Sequence, residues 1–322
     1  MQGAEVRFDG RVAIVTGSGG GLGRKYAETL ASRGAKVVIN DLDMEKAADA
    51  CKAIKSAGGE ALANSDSVTE GGKIVAAAVE AWGRVDILIN NAGILKDVAF
   101  HRMSAAQFQS VLEVHLMGTF NVTRAAWPHM RTAGYGRIVN ITSVNGLYGT
   151  FGQANYSSAK AAIIGLTKTL AIEGKSKGIQ VKSEEGSLMF LSITCQTHRS
   201  TISLQVNAVA PGGGTQMTAT VMPPDLLAKW KPEYAVPCIA YLCAENCKSS
   251  GNVFEAGGGW MAQVRWQRSP GVFFKLGEFT IEDVSAAWDK VTDFSDATAP
   301  EEEGSIGPNS PQLAQILHGS KL

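Results

Sequence analysis

Residues 12–23 read Val-Ala-Ile-Val-Thr-Gly-Ser-Gly-Gly-Gly-Leu-Gly, and this stretch decides the fold. A short β-branched run, residues 12–15, enters a turn of small residues, and helix-like spacing follows over 24–32. Small side chains let the backbone approach a pyrophosphate, and a helix N-terminus offers it unpaired N–H groups and a favourable dipole. A Gly-rich stretch alone is weak evidence. Here it follows a strand, precedes a helix and is answered by Asp41 at the end of the second strand-like run, which is the context the reading requires. An acid there accepts hydrogen bonds from both hydroxyls of an adenosine ribose and repels a 2′-phosphate, which favours NAD over NADP.

Further strand-like runs lie at 37–40, 61–64, 85–90, 137–142, 206–210 and 252–256, separated by helical patterns such as 44–56. Alternation of this kind predicts an α/β fold, a Rossmann-type doubly wound parallel sheet of about seven strands. The early strands are apolar almost throughout, as expected when helices cover both faces. Residues 1–260 are expected to form this domain. Residues 261–291 read as an extension with an amphipathic helix at 280–291, and 292–322, rich in Pro, Gly, Ser, Asp and Glu, as a flexible tail.

Composition narrows the partners. Of 322 residues, 45% are apolar and 19% charged, and 30 Lys+Arg balance 30 Asp+Glu. That argues for a sizeable core and against a nucleic-acid binder or polybasic membrane anchor. No apolar run reaches the length of a membrane span, and the N-terminus has no apolar signal core. Five cysteines without a C-x-x-C pair suggest reduced thiols, with neither a disulfide framework nor a metal site.

The turn's spacing, Thr-Gly-x-x-x-Gly-x-Gly, departs from G-x-G-x-x-G. It resembles the short-chain dehydrogenase/reductase family. Further matches follow in order: Asp66 after the third strand, Asn90-Asn91-Ala92-Gly93 after the fourth, Ser143 after the fifth, Tyr156-Ser157-Ser158-Ala159-Lys160 beyond it, and Pro211-Gly212 closing the sixth. The resemblance spans roughly residues 10–260. It implies that Gly17, Gly21, Leu22 and Gly23 cradle the cofactor phosphates. Asp66 and Ser67 would lie near the adenine, and the backbone of Asn91, Ala92 and Gly93 near the adenosine ribose and the nicotinamide side. Pro211, Gly212 and Thr215 would flank the nicotinamide.

Tyr156 and Lys160 are four residues apart and share one helix face. A free tyrosine, with a pKa near 10, is a poor base at neutral pH, and a nearby ammonium lowers it. Tyr156 would take the substrate hydroxyl proton, Ser143 would hydrogen-bond the substrate oxygen, and Lys160 would also hold the nicotinamide ribose. Most of the family has Asn before the fifth strand, where it supports a proton-relay water. Aligning residues 114–118 puts His115 there. It either serves that water, where it can titrate, or is an ordinary packed helix histidine.

Residues 91–97, 122–127, 148–156, 216–223 and 254–260 resemble one branch, the (3R)-hydroxyacyl-CoA dehydrogenase portion of the peroxisomal multifunctional enzymes. That resemblance implies NAD-dependent oxidation of an acyl-CoA substrate in fatty-acid β-oxidation and a homodimer or homotetramer. The chain ends Ser320-Lys321-Leu322, an address read by the peroxisomal import receptor. It is thus expected in the peroxisome, depending on a separate enoyl-CoA hydratase. The alternatives are a 17β-hydroxysteroid or other secondary-alcohol dehydrogenase, and a non-catalytic NAD-binding protein.

One stretch is anomalous. Pro-Gly usually follows the catalytic Tyr by about 30 residues in the family, whereas Pro211 lies 55 beyond Tyr156. Removing residues 181–205 joins Gly178-Ile179-Gln180 to Val206-Asn207-Ala208 and restores the spacing. The segment reads as a retained intron or a surface insertion at the amino end of the sixth strand.

Overall fold

The computed structural model describes residues 5–175, 203–212, 230–275 and 278–299. The chain divides into two compact units, Met1–Gln263 and Val264–Leu322.

The first unit contains an eight-stranded sheet. In chain order its elements are β1 (Val12–Thr16), α1 (Gly21–Ser32), β2 (Lys36–Asn40), α2 (Met44–Ser56), β3 (Glu60–Asn64), α3 (Gly71–Trp82) and β4 (Ile87–Asn90). Then come α4 (Ala105–Leu112), a π-turn (Glu113–Met117), α5 (Gly118–Ala133), β5 (Tyr135–Ile141), α6 (Val144–Tyr148), α7 (Ala154–Gly174) and β6 (Ser203–Gly212). The described elements end with α8 (Val236–Leu242), β7 (Val253–Gly257) and β8 (Trp260–Val264).

The strand order is β3-β2-β1-β4-β5-β6-β7-β8. Pairing is parallel from β3 through β7, so the expected seven parallel strands are present, and β8 adds an eighth at the edge. The order reverses between β1 and β4, which opens a crevice above the carboxyl ends of the strands.

Every residue of β1, β4 and β5 is buried. Two apolar cores, one built around Tyr26, Leu30, Ile39 and Ile239 and the other around Ile74, Leu88, Val122 and Met130, account for this. Each fully buried Val, Leu or Ile contributes roughly 1.5–3 kcal/mol, so the hydrophobic runs hold the sheet in place. Polar links mark the carboxyl edge. Asn40 donates to Asn64 Oδ1 at 2.8 Å, Asn90 to Asn140 Oδ1 at 2.8 Å, and Asn140 to Thr167 Oγ1 at 2.9 Å.

At the opposite edge, Arg137 is buried. Its guanidinium donates to the carbonyls of Gly136, Ser203, Ala244 and Glu245. β6 starts at Ser203, three residues earlier than its apolar run predicts. Ser203, Leu204 and Gln205, expected as the end of the insertion, are therefore strand residues paired with Tyr135, Gly136 and Arg137. Leu204 is buried in the second core, which explains its recruitment. Lys175, just past α7, forms an antiparallel bridge with Ser203. Residues 181–202 lie outside the described residues.

In the second unit, α9 (Ile281–Val291) is opened by a capping box between Thr280 and Asp283. Ser269 donates to the Val291 carbonyl, and Arg268 bridges to Thr298. Among the described residues, no helix is long and apolar enough to cross a membrane.

Candidate active site

The Gly-rich turn leaves β1 and ends at the start of α1. Gly17 has φ +62°, and a Cβ there would sit 2.8 Å from the Ala92 Cα. A Cβ at Gly23 would strike the Gly17 carbonyl, whereas Gly20 and Gly21 face open space. α1 has no side-chain cap, so its first N–H groups remain available. Asn91 fixes the turn from below, its amide donating to the carbonyls of Thr16 and Gly17 at 2.9 Å each. Thr16 Oγ1 accepts in return from the N–H groups of Asn91 and Ala92. The predicted cradle is thus a cross-braced pair of loops.

Asp41 stands at the end of β2. Its carboxylate accepts from Gly19 N–H at 3.0 Å and from Asp43 N–H at 3.1 Å. Asp66 follows β3, locked by Asn64 Nδ2 at 2.7 Å and by Asn40 on its carbonyl. Ser67 caps the short turn after it. Pro211 and Gly212 close β6 opposite Ala256 and Gly257. Thr215 lies outside the described residues. An open helix N-terminus, a turn of glycines and a carboxylate just after β2 together suit a nicotinamide dinucleotide.

Ser143 ends the β5 loop as the cap of α6, its Oγ accepting from Asn145 N–H at 3.2 Å. Tyr156 and Lys160 lie in the first turns of α7. Lys160 is buried; its Nζ donates to the Ile141 carbonyl at 2.6 Å and lies 5.6 Å from the centre of the Tyr156 ring. Burial pushes the ammonium down to about 7.

The Tyr156 phenol is raised above its ordinary value, chiefly by burial; hydrogen bonding with Ser143 opposes this, and the charge of Asp97 adds to it. This corrects the expectation that Lys160 depresses Tyr156. Desolvation dominates both groups, and Ser143 is the neighbour that favours the phenolate.

His115 lies in the π-turn before α5, and it is buried. Its Nε2 is 3.0 Å from the Ile94 N–H and 2.8 Å from the Ile94 carbonyl, so the ring bonds the Ile94 backbone in either tautomer. Nδ1 has no partner. The ring fills the space a side chain at residue 93 would need, which is why Gly93 is glycine. Burial, with a smaller contribution from Lys160, pushes the imidazole down to about 3, so it is neutral at physiological pH. Of the two readings of His115, its burial and its hold on the Ile94 backbone agree with the packed histidine.

Sequence reading missed a set of residues that hold this site together. Asn155 Nδ2 donates to the Lys96 carbonyl at 2.9 Å, while its Oδ1 accepts from Tyr156 N–H at 2.8 Å. Gln153 bridges Asp97 at 2.7 Å and Asn145 at 2.6 Å. A Cβ on Gly146 would lie 2.7 Å from the Lys160 Cβ. The only signal was their nearness in sequence to Ser143 and Tyr156.

A nucleotide cradle and a Ser–Tyr–Lys set at one sheet edge define an oxidoreductase. The sequence profile of the short chain dehydrogenases matches residues 11–188. The chain belongs to the short-chain dehydrogenase family, whose members use a nicotinamide cofactor. It is 43% identical to the peroxisomal multifunctional enzyme type 2 of Mus musculus, over 97% of this chain and 40% of that protein. A short-chain type dehydrogenase/reductase of Mycobacterium tuberculosis is 41% identical, over 89% of this chain and 96% of its own length. Among solved structures, full-length peroxisomal multifunctional enzyme type 2 from Drosophila melanogaster superposes with a TM-score of 0.76 at 35% identity, covering 98% of this chain and 50% of that one. The chain thus spans half or less of the multifunctional proteins it resembles here.

Proposed function

We propose that this chain oxidises (3R)-3-hydroxyacyl-CoA to 3-ketoacyl-CoA with NAD, in peroxisomal fatty-acid β-oxidation. The observation that carries this reading is the Ser143–Tyr156–Lys160 set on a chain alike over nearly its whole length to peroxisomal multifunctional enzymes. The choice of NAD is supported by Asp41 just after β2, an acid whose charge would repel a 2′-phosphate there.

Bound NAD supplies the hydride acceptor. Ser143 holds the substrate's C3 oxygen. Tyr156 takes the hydroxyl proton as the C3 hydride departs, so the C–O single bond becomes a carbonyl. Lys160 would hold the nicotinamide ribose from the same face of α7. Asn155 and Gln153 keep the phenol and Ser143 in register. Residence in the peroxisome belongs to the same reading, supported by the names of these relatives; assembly as a homodimer belongs to it as what the family resemblance implies.

The test offers the purified chain (3R)- and (3S)-3-hydroxyacyl-CoA separately and follows NADH. Turnover of the R form alone is expected. Turnover of the S form, or of neither, refutes the assignment.

A further inference from the structure

The segment after Ile94 is tied to the catalytic helix at three points. Asn155 holds the Lys96 carbonyl, Gln153 holds the Asp97 carboxylate, and Val98 N–H donates to the Gly152 carbonyl at 2.8 Å. These bonds fix residues 96–98 beside Tyr156. The chain then makes one 3-10 turn, Phe100–Arg102, before the capping box of Ser104 and Gln107 opens α4.

The side chains left over on this segment share one character. Lys96, Phe100, His101 and Arg102 are all exposed, Phe100 to 76%. Neither Lys96 nor Arg102 makes an ion pair or side-chain hydrogen bond among the described residues, and the one nearby acid in the segment, Asp97, is taken by Gln153. Around the cofactor turn the cations are committed instead: Arg24 to Glu28 and Asp49, Lys46 to Asp43, and Lys73 to Glu70. Beside the free cations lies a groove of about 420 Å³, lined by Phe100, Met103, Ser104, Ala105, Phe108 and Gln109.

We propose that this segment is the docking site for the carrier half of the thioester substrate: Lys96 and Arg102 bind its phosphates, and the Phe100–Phe108 groove takes its adenine. The assignment rests on the acyl-CoA reading above. CoA carries a pyrophosphate and a 3′-phosphate at the far end of a flexible arm. With C3 at Tyr156, that arm can run past residues 96–98, which Asn155 and Gln153 hold against the start of α7, towards the unpaired cations and the aromatic groove. A guanidinium fork suits phosphate oxygens, an ammonium adds a point charge, and aromatic faces accept a base.

The experiment compares two (3R)-3-hydroxybutyryl thioesters, one of CoA and one of N-acetylcysteamine, which lacks phosphates and adenine. The variants are the Lys96→Gln/Arg102→Gln pair and Phe100→Ala, with Lys52→Gln on α2 as an exposed-charge control. Binding of free CoA is measured by calorimetry on the same proteins. The pair is expected to raise KM for the CoA thioester tenfold or more with kcat little changed. The parent's preference for CoA over N-acetylcysteamine should collapse accordingly, and CoA binding should weaken in parallel. Equal CoA binding in parent and pair overturns the docking site alone. A parallel loss on both thioesters does so too. A parent that oxidises neither thioester and binds no CoA removes the acyl-CoA reading and the docking site with it.

Discussion

The imidazole of His115 stands edge-on to the phenol of Tyr156, with ring centroids 5.2 Å apart and planes at 90°. Edge-to-face contact is a favoured aromatic geometry. The same ring grips the Ile94 backbone and fills the hollow over Gly93. A neutral imidazole therefore forms a wall beside the Tyr156 phenol and ties it to the loop that leads into the proposed docking segment.

Acid should expose this arrangement. The folded imidazole protonates only near pH 3, below the ordinary value of about 6.5, so as pH falls through 6.5 the unfolded chain takes a proton that the folded chain does not. The stability contribution is full above about pH 6.5 and is lost toward pH 3, the loss reaching about 2 kcal/mol at pH 5. Urea unfolding at pH 7 and pH 5 checks this. The parent should lose about that much more than His115→Asn, whose amide can still hold Ile94. Equal losses would show that His115 is not held neutral.

Removing the phenol hydroxyl should separate chemistry from binding. Tyr156→Phe is expected to lower turnover by about 10²–10⁴-fold. NADH binding, followed by fluorescence, should change little. Retained turnover would mean that another group accepts the proton.

Asp41 should govern the choice of dinucleotide. Asp41→Ser removes the acceptor pair for ribose hydroxyls and the charge that repels a 2′-phosphate. KM for NAD should rise about tenfold, the equivalent of about 1.4 kcal/mol, and NADP should become a competing cofactor. An unchanged NAD:NADP ratio would transfer that role elsewhere.

Gly146 should tolerate no side chain. A Cβ there meets the Lys160 Cβ at 2.7 Å and the backbone carbon of Lys160 at 2.8 Å, so Gly146→Ala must push α6 away from α7. The expected cost is about 1–3 kcal/mol. Turnover should fall as well, since Ser143 caps α6. Thermal unfolding alongside kinetics reads both.

Deleting residues 181–205 should leave a folded enzyme. Lys175 and Ser203 bridge each other at the amino end of β6, the opposite sheet edge from Ser143 and Tyr156. In the shortened chain Ile179 and Gln180 can occupy the places of Leu204 and Gln205, with Ile replacing Leu in the core. Conserved turnover and a similar melting temperature are expected. An insoluble product would show that β6 depends on its present lead-in residues.

Much of this was legible because the chemistry demands local patterns. The glycines at 17, 21 and 23, Asp41 after β2 and the Tyr156–Lys160 pair announce themselves through spacing and position, and each lies at the carboxyl edge as read. Less legible were effects that depend on distant neighbours. The phenol pKa turned on desolvation, which no spacing reports. The neutral state of His115 likewise depended on burial, with Lys160, 45 residues away, adding to it. The start of β6 depended on burial of Leu204 and on pairing with β5, so an apolar run starting at Val206 placed it three residues late. Gln153 and Asn155 look like ordinary polar residues until the loop bearing Lys96 and Asp97 is brought against them.

The asparagine links along the carboxyl edge carry a further consequence. Strands buried on both faces have no alternation of apolar and polar residues, so hydrophobicity does not distinguish one alignment from its neighbour. Asn90, Asn140 and Thr167 do. Sliding β5 by one residue would bring Val139 or Ile141 opposite Asn90 and strand buried amides, each at a cost of about 1–3 kcal/mol. The same few polar atoms thus act as a proofreading mark during assembly, rejecting misaligned sheets that the greasy interior alone would accept.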